Sequence, residues 1–300
     1  MIASIPSPSE SVLELGPLDL RAYGVMIGLG VLAAVWLFSK RLESRGVNPD
    51  VGTTIAMVAV PLGLVGARAY HVITDWKSFQ GRWIEAFYIW EGGLGILGGI
   101  AFGVAGSYWV ARRHEVPMTT VLDAAAPAIP LAQAIGRWGN WWNQELFGKP
   151  SDLPWAIEID PENRVAAYPD DATFHPTFLY ESLWNLALVG FILWIDRRNV
   201  LRPGRVFAVY TGGYAAGRLW IEALRIDTAS QVFGLRVNLW VFGVVLLASI
   251  AAIATGRRSP DELSSDAIAA DEDDADLDDE PGDAGHDEPE AAAVGTPVDD

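Results

Sequence analysis

The chain has 300 residues, of which 51% are hydrophobic and 13 are tryptophan, and it contains no cysteine. A mean hydropathy of +0.21 is unusual for a soluble domain and is typical of a membrane protein whose aromatic rings lie at the membrane interfaces. Without cysteine, the chain has no disulfide, no thiolate nucleophile of its own and no cysteine-based metal site.

The net charge of −17 comes from the C-terminal end of the chain. Residues 259–300 hold 17 of the 38 Asp and Glu residues and no Lys or Arg, so the other 21 acidic residues balance the 21 basic ones. This tail has no aromatic residue and few large aliphatic residues, so it cannot bury enough surface to offset its ordering entropy. We therefore predict a disordered acidic tail over residues 258–300, favouring a solvating extension over a segment that recruits a basic partner.

The N-terminal residues 1–17 have no basic start and no uninterrupted apolar core, so we do not expect them to form a secretory signal peptide. Seven apolar segments follow, and each is close to the roughly 20 residues that are needed to cross a bilayer. They lie near residues 20–39, 51–73, 88–111, 119–137, 175–195, 204–224 and 235–255.

Basic residues occur mainly at alternate ends of these segments. The connections KRLESR, ARRHE, DRRNVLRPGR and GRRS hold 11 of the 21 Lys and Arg residues. Because cytoplasmic loops carry an excess of Lys and Arg, we predict seven transmembrane helices with the N-terminus outside and the C-terminus in the cytoplasm. The fold class predicted from the sequence is an all-α, polytopic integral membrane protein.

The longest predicted outer connection follows the fourth segment. Residues 138–174 contain PSDLPW, DPENR and YPDD, which are typical of turns, so we predict a small extracytoplasmic cap here. The predicted organisation is an outer N-terminal segment (1–17), a seven-helix transmembrane domain that includes the cap (18–257) and the cytoplasmic tail (258–300).

Charged residues also occur inside the sixth segment. Arg218, Glu222 and Arg225 in GRLWIEALRID are spaced i, i+4 and i+7, which predicts that they lie on one face of a helix. Charges inside a membrane are costly, so they face the protein interior or a wet cavity and mark candidate functional sites. A purely structural network of buried arginine and glutamate is the alternative interpretation.

Polar residues from other segments lie at the same predicted outer level: Tyr23, Arg68, His71, Glu91, Arg137, His175, Tyr180 and Glu181. Side chains that merely reach the headgroups would be scattered over both faces of the membrane, so this convergence predicts an outer-leaflet cavity. Arginines around a cavity suit a phosphate, because the planar guanidinium binds it bidentately and stays charged. The pattern favours a phospholipid-using enzyme, a lipid-binding protein or a transporter.

The stretch GRWGNWWNQELFG, residues 136–148, resembles the signature of bacterial prolipoprotein diacylglyceryl transferases, approximately G-R-x-G-N-F-x-N-x-E-x-x-G. The glycine and polar positions that agree are Gly136, Arg137, Gly139, Asn140, Asn143, Glu145 and Gly148, while Trp141 replaces the usual phenylalanine. RAYGVMIGLG, GARAYHV, WEGGLGILGG, HPTFLYE and GRLWIEALRID are similar to further family motifs. They occur in the family's order over about residues 18–255, and the family's seven-helix topology agrees with the prediction.

The resemblance implies transfer of the diacylglyceryl group from phosphatidylglycerol to the lipobox cysteine thiol in the signal peptide of a prolipoprotein. The products are a thioether and glycerol phosphate, and the site faces the outer leaflet of the bacterial plasma membrane. No cofactor, metal or nucleic acid is expected. The reacting thiol belongs to the substrate, which agrees with a chain that has no cysteine.

The resemblance also implies roles for individual residues. Arg137 and Arg218 hold the phosphate and stabilise its departing charge, and Glu222 orients Arg218. The implied catalytic residues are Arg137, Arg218, Tyr23, Glu145 and Glu222. The residues implied to bind phosphatidylglycerol are Arg137, Asn140, Asn143, Gly148, Arg218 and Arg68.

The general base is an open question in this sequence. Many family members carry a histidine in the third-helix segment where this chain has Leu97, and leucine cannot accept a proton. His71, Glu91 and Glu145 are candidates on their chemistry, although a lone His71 is more often a packed interfacial residue. A thiol with a pKa near 8.5 needs little help beside arginines that stabilise its thiolate, and we favour this explanation.

Two alternatives to the transferase remain at this point. One is a non-catalytic protein that binds or flips phospholipids with the same arginine-lined cavity, and the other is a membrane hydrolase that acts on the headgroup. A flippase needs polar groups through the full depth of the membrane, whereas the inner halves of the predicted spans are nearly free of charge. The charge pattern therefore favours an enzyme of the outer leaflet.

Overall fold

A computed structural model describes residues 4–258 except residues 9, 16–17, 90–91 and 228–229, and it describes only the backbone of residues 13–15 and 18–20. The chain divides into two compact units, Met1–Arg257 and Arg258–Asp300. The second unit lies outside the described residues apart from Arg258, and the predicted disorder of the acidic tail falls there.

The described residues form seven α-helices and three two-stranded antiparallel hairpins, so the chain is mostly helical, as the sequence predicts. The helices are α1 (Ala22–Glu43), α2 (Pro49–Thr74), α3 (Ile96–Arg113), α4 (Met118–Trp142), α5 (Thr177–Arg197), α6 (Arg205–Leu224) and α7 (Val237–Thr255). The hairpins are β1–β2 (Val12–Leu15, Leu18–Arg21), β3–β4 (Ile157–Glu158, Thr173–Phe174) and β5–β6 (Gln231–Val232, Leu235–Arg236).

Five of the seven helices, α1, α2, α4, α5 and α7, are long and apolar enough to cross a membrane. The two others carry more polar groups. α3 ends in Arg112 and Arg113, and α6 buries Arg218 and Glu222 among its apolar residues. The helices agree with a membrane protein, and crossing by all seven stays a prediction.

α4 is the central helix of the bundle. It packs against α1, α5 and α6, while α2 packs chiefly on α3 and α6 on α7. Pro127 and Pro130 lie inside α4 and are buried, so neighbouring helices surround the turns whose backbone bonds the prolines interrupt. At one end of the bundle, α1, α5 and α7 begin and α4 and α6 terminate. We call this the site end.

The connection between α4 and α5 forms an ordered cap. Its core contains Phe147, Ile157, Ile159, Phe174 and Phe178, all buried. The backbone of Ile5 pairs with Ile157, so the N-terminal segment is part of this cap. The cap was predicted to begin at residue 138, but α4 continues to Trp142, and the cap therefore begins at Asn143.

Two helix ends differ from the predictions. The third segment was expected to start near residue 88, but α3 begins at Ile96, because Gly92 and Gly93 have positive φ angles that a helix cannot contain. Arg225 was expected on the same helical face as Arg218 and Glu222. α6 ends at Leu224, and Arg225 is extended, where its backbone pairs with Gly148.

Carboxylates join the helices at the opposite end of the bundle. Oδ2 and Oδ1 of the buried Asp123 accept hydrogen bonds from the backbone N–H groups of Gly204 (2.6 Å) and Phe207 (3.1 Å), which caps the start of α6. Asp196 of α5 accepts two 2.9 Å hydrogen bonds from Arg45 and contacts Arg41. The sequence analysis assigned no role to either carboxylate.

Candidate active site

Arg137 lies near the end of α4 and lines a cavity between α4 and α1. The cavity has a volume of about 280 Å³, and its other lining residues are Tyr23, Ile27, Val31, Ala132, Gln133, Gly136 and Asn140. The Arg137 side chain is 21% exposed, and its Nη1 atom contacts Oδ1 of Asn140 at the long distance of 3.4 Å. Arg137 therefore places a positive charge in the wall of a space that is large enough for a phosphate group.

Glu181 of α5 connects Arg137 to Arg218 of α6. Its Oε2 atom lies 2.6 Å from Nε of Arg137, an ion pair without the alignment of a hydrogen bond. Its Oε1 atom accepts a 2.7 Å hydrogen bond from Nη1 of Arg218. The carboxylate is almost fully buried, and a buried charge is stable only when it is paired. Glu181 therefore ties α4, α5 and α6 together through two arginines.

Glu181 was predicted at the outer level, without a role. The sequence did contain a signal for the role of Glu181. A carboxylate at the start of an apolar segment needs a cationic partner, and two arginines occur at the same predicted level on other segments. The sequence could not show that both arginines share this carboxylate.

Glu222 continues the network along α6. Its Oε2 atom accepts a 2.9 Å hydrogen bond from Nη2 of Arg218, one helical turn earlier. Its Oε1 atom accepts a 3.0 Å hydrogen bond from Asn238 and lies 2.8 Å from Nε of Arg236. The structure thus brings the two predicted residues together, and the proposed orientation of Arg218 by Glu222 stays a prediction.

The network ends in a cluster between α6 and α7. Asp227 accepts hydrogen bonds from Nε of Arg225 (2.6 Å) and Nη2 of Arg236 (2.9 Å), and Nη1 of Arg236 donates to the backbone oxygen of Arg225. Burial alone raises the pKa of the Asp227 carboxyl, but the hydrogen bond and charge of Arg225, with the charge of Arg236, lower this pKa below its ordinary value. Asp227 is therefore held as a carboxylate.

Asn140, Asn143 and Glu145 form a second polar group at the end of α4. Oε1 of Glu145 accepts hydrogen bonds from the side-chain amides of Asn140 (2.8 Å) and Asn143 (3.2 Å). Asn140 is buried, whereas Asn143 and Glu145 are exposed. The structure therefore joins three of the predicted residues, and it connects them to Arg137 through Asn140.

Tyr23, in the first turn of α1, lies between two cavities. It lines the Arg137 cavity and also a cavity of about 590 Å³ at the site end, whose other lining residues are Ser11, Val12, Arg21, Gly24, Ile89, Gly92 and Asn143. A Cβ atom at Gly139 would lie 2.5 Å from the Tyr23 ring. The glycine at this signature position is thus required for the ring to lie against α4.

Arg68 has a different environment from Arg137. Its Nε donates to Ala86 O (2.8 Å), its Nη1 to Gly92 O (2.6 Å) and its Nη2 to Glu85 O (2.5 Å). Arg68 is buried and holds the loop between α2 and α3 through these carbonyl oxygens. It does not line the Arg137 cavity, and its predicted contact with phosphatidylglycerol finds no support in this geometry.

The candidate bases are dispersed. His71 packs edge-on against Phe79 with ring centroids 5.9 Å apart, and it lines a separate polar cavity of about 190 Å³ with Arg68 and Gly93. Glu91 lies outside the described residues. Leu97 is exposed in the first turn of α3. Of the two candidates that the structure describes, His71 and Glu145, it is Glu145 that lies beside residues of the Arg137 cavity.

Gly148 and His175 lie where the cap meets α5 and α6. The N–H of Gly148 donates to the backbone oxygen of His175 (2.9 Å), and a Cβ at Gly148 would lie 2.8 Å from Cβ of His175. Gly148 thus permits close backbone packing and lines neither cavity of Tyr23. Nδ1 of His175 lies 3.1 Å from Oη of Tyr180, and burial, followed by the charge of Lys149, lowers the pKa of this imidazole.

The arrangement can bind an anion with a guanidinium, amides and a tyrosine ring. Within the residues that the structure describes, no three His, Asp or Glu side chains form a group that could hold a metal ion. The positive charge of Arg137 and the side-chain amide of Asn140 can stabilise an oxyanion electrostatically.

Comparisons with known proteins show which family this chain is similar to. The sequence profile of the family described as prolipoprotein diacylglyceryl transferase matches residues 10–255. A phosphatidylglycerol–prolipoprotein diacylglyceryl transferase of Streptomyces griseus is 50% identical over 282 residues, which cover 91% of this chain and 85% of the relative.

Other relatives carry the same name. Transferase 1 of Streptomyces coelicolor is 52% identical over 265 residues, which cover 86% of this chain and 76% of that relative. The transferase of Corynebacterium efficiens is 45% identical over 278 residues, which cover 87% of this chain and 86% of that relative. The profile match and these identities over most of the chain show that the chain belongs to the prolipoprotein diacylglyceryl transferase family.

Proposed function

We propose that this chain transfers the diacylglyceryl group of phosphatidylglycerol to the cysteine thiol of a prolipoprotein, the first step of lipoprotein maturation. The family membership and the names of its relatives support this transferase activity. The observation that carries the proposal is the convergence of Tyr23, Arg137 and Asn140 on one cavity at the site end, with Glu145 bonded to Asn140. The lipobox cysteine is the nucleophile that the resemblance implies.

The proposed reaction is a substitution at carbon. The cysteine sulfur attacks the glycerol carbon that bears the phosphate ester, the C–O bond breaks, and the S–C bond of the thioether forms. Glycerol phosphate leaves with the electron pair of the C–O bond, and the thiol proton passes to solvent or to a base. The negative charge on the departing phosphate increases, so the protein's contribution is a fixed positive charge beside it.

Arg137 is the residue that we assign to this phosphate. It lines the cavity and is partly exposed, and its guanidinium geometry matches two phosphate oxygens. Asn140, Asn143 and Glu145 shape the headgroup pocket, and Tyr23 lies against the reacting headgroup. We assign the remaining predicted residues, Arg68, Gly148, Arg218 and Glu222, to structural support, because all four are buried and none of them lines the Arg137 cavity.

We also propose that all seven helices cross the plasma membrane of a bacterium, with the site end outside. The basic connections KRLESR, ARRHE, DRRNVLRPGR and GRRS all lie at the opposite end of the bundle, which the positive-inside rule assigns to the cytoplasm. Arg218 and Glu222 are buried within the bundle and paired, which lowers the cost of placing α6 in the membrane.

No dedicated base is required in this mechanism. Leu97 stands where many family members have a histidine, and His71 lines a cavity that is separate from that of Arg137. A positive charge beside the substrate thiol favours the thiolate, so Arg137 itself lowers the pKa of the attacking group. Glu145 is the alternative acceptor of the proton.

The test is transfer by the purified protein. It is mixed with phosphatidylglycerol and a lipobox peptide, and the peptide mass is followed. We expect a gain of one diacylglyceryl unit on the cysteine and release of glycerol phosphate in equal amount. A peptide with serine in place of cysteine serves as the control and should gain no mass.

Each alternative function gives a different result in this assay. A hydrolase releases glycerol phosphate at the same rate without peptide. A binding or flipping protein releases none, and it moves labelled phosphatidylglycerol across the bilayer of a vesicle or merely retains it. Either result, with no thiol-dependent gain in mass, would rule out the transferase.

A further inference from the structure

Arg218 is enclosed in a way that Arg137 is not. Its two Nη atoms donate to Glu181 and Glu222 at 2.7 and 2.9 Å, and its guanidinium carbon lies 5.7 Å from the ring centre of Phe242. The space beside it has a volume of only about 10 Å³, about enough for one water molecule, whereas the Arg137 cavity has about 280 Å³. A phosphate group cannot reach Arg218 in this structure.

The charges of the network alternate along its length. They follow the order Arg137, Glu181, Arg218, Glu222, Arg236, Asp227 and Arg225, and each neighbouring pair is in contact at 2.6–2.9 Å. The network has four arginines and three carboxylates, so its formal charges leave one positive charge in excess. A phosphodiester carries one negative charge, and the Arg137 end of the network is the end that lines the cavity.

Glu181 determines how much of this excess charge Arg137 can offer to a ligand. With Arg218 present, the charge of Glu181 is divided between two guanidinium groups. Without Arg218, the buried carboxylate would have Arg137 as its sole cationic partner in the network, and the excess positive charge would be lost. The other charges of the network are less affected, because Glu222 keeps its contacts with Arg236 and Asn238.

We propose that Arg218 is a positioning residue that acts through Glu181. Its function is to balance the charge of Glu181, so that Glu181 holds Arg137 in one orientation without fully offsetting the positive charge that Arg137 presents to the cavity. Arg218 itself does not contact the phosphate. This inference rests on the proposed function, in which Arg137 binds the phosphate of phosphatidylglycerol.

The test neutralises the two residues singly and together. Arg218→Gln removes the excess charge, so we expect phosphatidylglycerol binding and transfer to fall by about 100-fold or more. Glu181→Gln leaves Arg137 charged but less well held, so we expect a loss of about tenfold. The double variant Glu181→Gln/Arg218→Gln has the original excess charge, and we expect it to return to within about tenfold of the wild type.

If Arg218 instead contacts the phosphate directly, the double variant should not recover. Removing Glu181 cannot replace a lost contact, so the double variant would be no better than Arg218→Gln. That result would overturn the proposal. Arg218→Lys is the second variant, because lysine keeps the charge next to Glu181 but cannot form the two parallel bonds of a guanidinium. We expect its activity within about tenfold of the wild type, and a loss as large as in Arg218→Gln would overturn the proposal as well.

Binding and transfer are measured separately for every variant. Binding of short-chain phosphatidylglycerol is followed by titration calorimetry in detergent, which needs no turnover, and thermal melting shows that each variant is folded. The matched control is the exposed pair at the opposite end, Lys40→Gln/Glu43→Gln, for which we expect no change. A wild type that binds the lipid without transferring it contradicts the proposed function, whereas a double variant that is not rescued contradicts only the role of Arg218.

Discussion

Among single residues, Arg137 has the most direct connection between position and proposed chemistry. It lines the cavity at the site end, and its ion pair with Glu181 holds only the Nε side of the guanidinium. Arg137→Ala removes the positive charge beside the phosphate. We expect transfer to fall by about 100-fold or more, as when other oxyanion-stabilising groups are removed, while the protein stays inserted and folded.

The peptide mass assay measures this loss, and thermal melting reports the folded state. Arg112→Ala is the matched control, because Arg112 is exposed at the far end of α3, and it should retain full activity. Activity close to that of the wild type in Arg137→Ala would remove this arginine from the mechanism.

Asp227 makes stability depend on pH through its lowered pKa. A carboxyl whose folded-state pKa is depressed stabilises the fold above its unfolded-state pKa of about 3.9, and this contribution is lost as the pH falls through the folded-state value. We expect Asp227→Asn to lower the melting temperature by about 2–4 °C at neutral pH and to approach the wild type below about pH 4.

Melting curves between neutral and acidic pH check this expectation. Asp170→Asn, an exposed residue of the cap, is the control and should follow the wild type at every pH. A difference between Asp227→Asn and the wild type that grows as the pH falls would contradict the assignment of Asp227 as a paired carboxylate.

At the level of helices, close packing of α2 on α3 positions the loop that Arg68 holds. A Cβ atom at Gly98 would lie 2.1 Å from the backbone oxygen of Gly66, so the two helices touch through their backbones. Small residues allow such contact between membrane helices. Gly98→Ala must separate α2 and α3, and we expect it to lower the free energy of unfolding by about 1–3 kcal/mol.

Gly28→Ala is the matched control in α1, where an added Cβ meets no atom within 4 Å. Alanine is the better helix former, so this control should leave stability unchanged or slightly higher. Equal melting temperatures for the two variants would show that the backbone contact between α2 and α3 is not limiting.

For the whole molecule, the absence of cysteine makes the proposed topology directly measurable, because each single-cysteine variant has one reactive thiol. Ser44→Cys lies in the α1–α2 connection and Glu162→Cys in the cap, and both positions are exposed. In intact cells, we expect a membrane-impermeant maleimide to label Glu162→Cys and to leave Ser44→Cys unlabelled until the membrane is opened. Labelling of Ser44→Cys in intact cells would show that the proposed topology is wrong.

The sequence by itself determined the helices and the residues of the candidate site. Long apolar runs favour helices, so six of the seven helices were predicted within about five residues of their observed bounds. The main errors were local: the positive φ angles of Gly92 and Gly93 delay α3, and the backbone pairing of Arg225 with Gly148 ends α6. The signature residues near Arg137 were also found, because polar groups next to an apolar helix stand out in the sequence.

Only the tertiary structure decided how the charged residues are paired. Arg68, Arg137 and Arg218 look alike in the sequence, yet one binds backbone oxygens, one lines a cavity and one is enclosed by two carboxylates. The free energy of a buried charge depends on which partners lie within a few ångströms, and the packing of different helices sets those distances. For this reason the sharing of Glu181 by Arg137 and Arg218 appears only when α4, α5 and α6 are assembled.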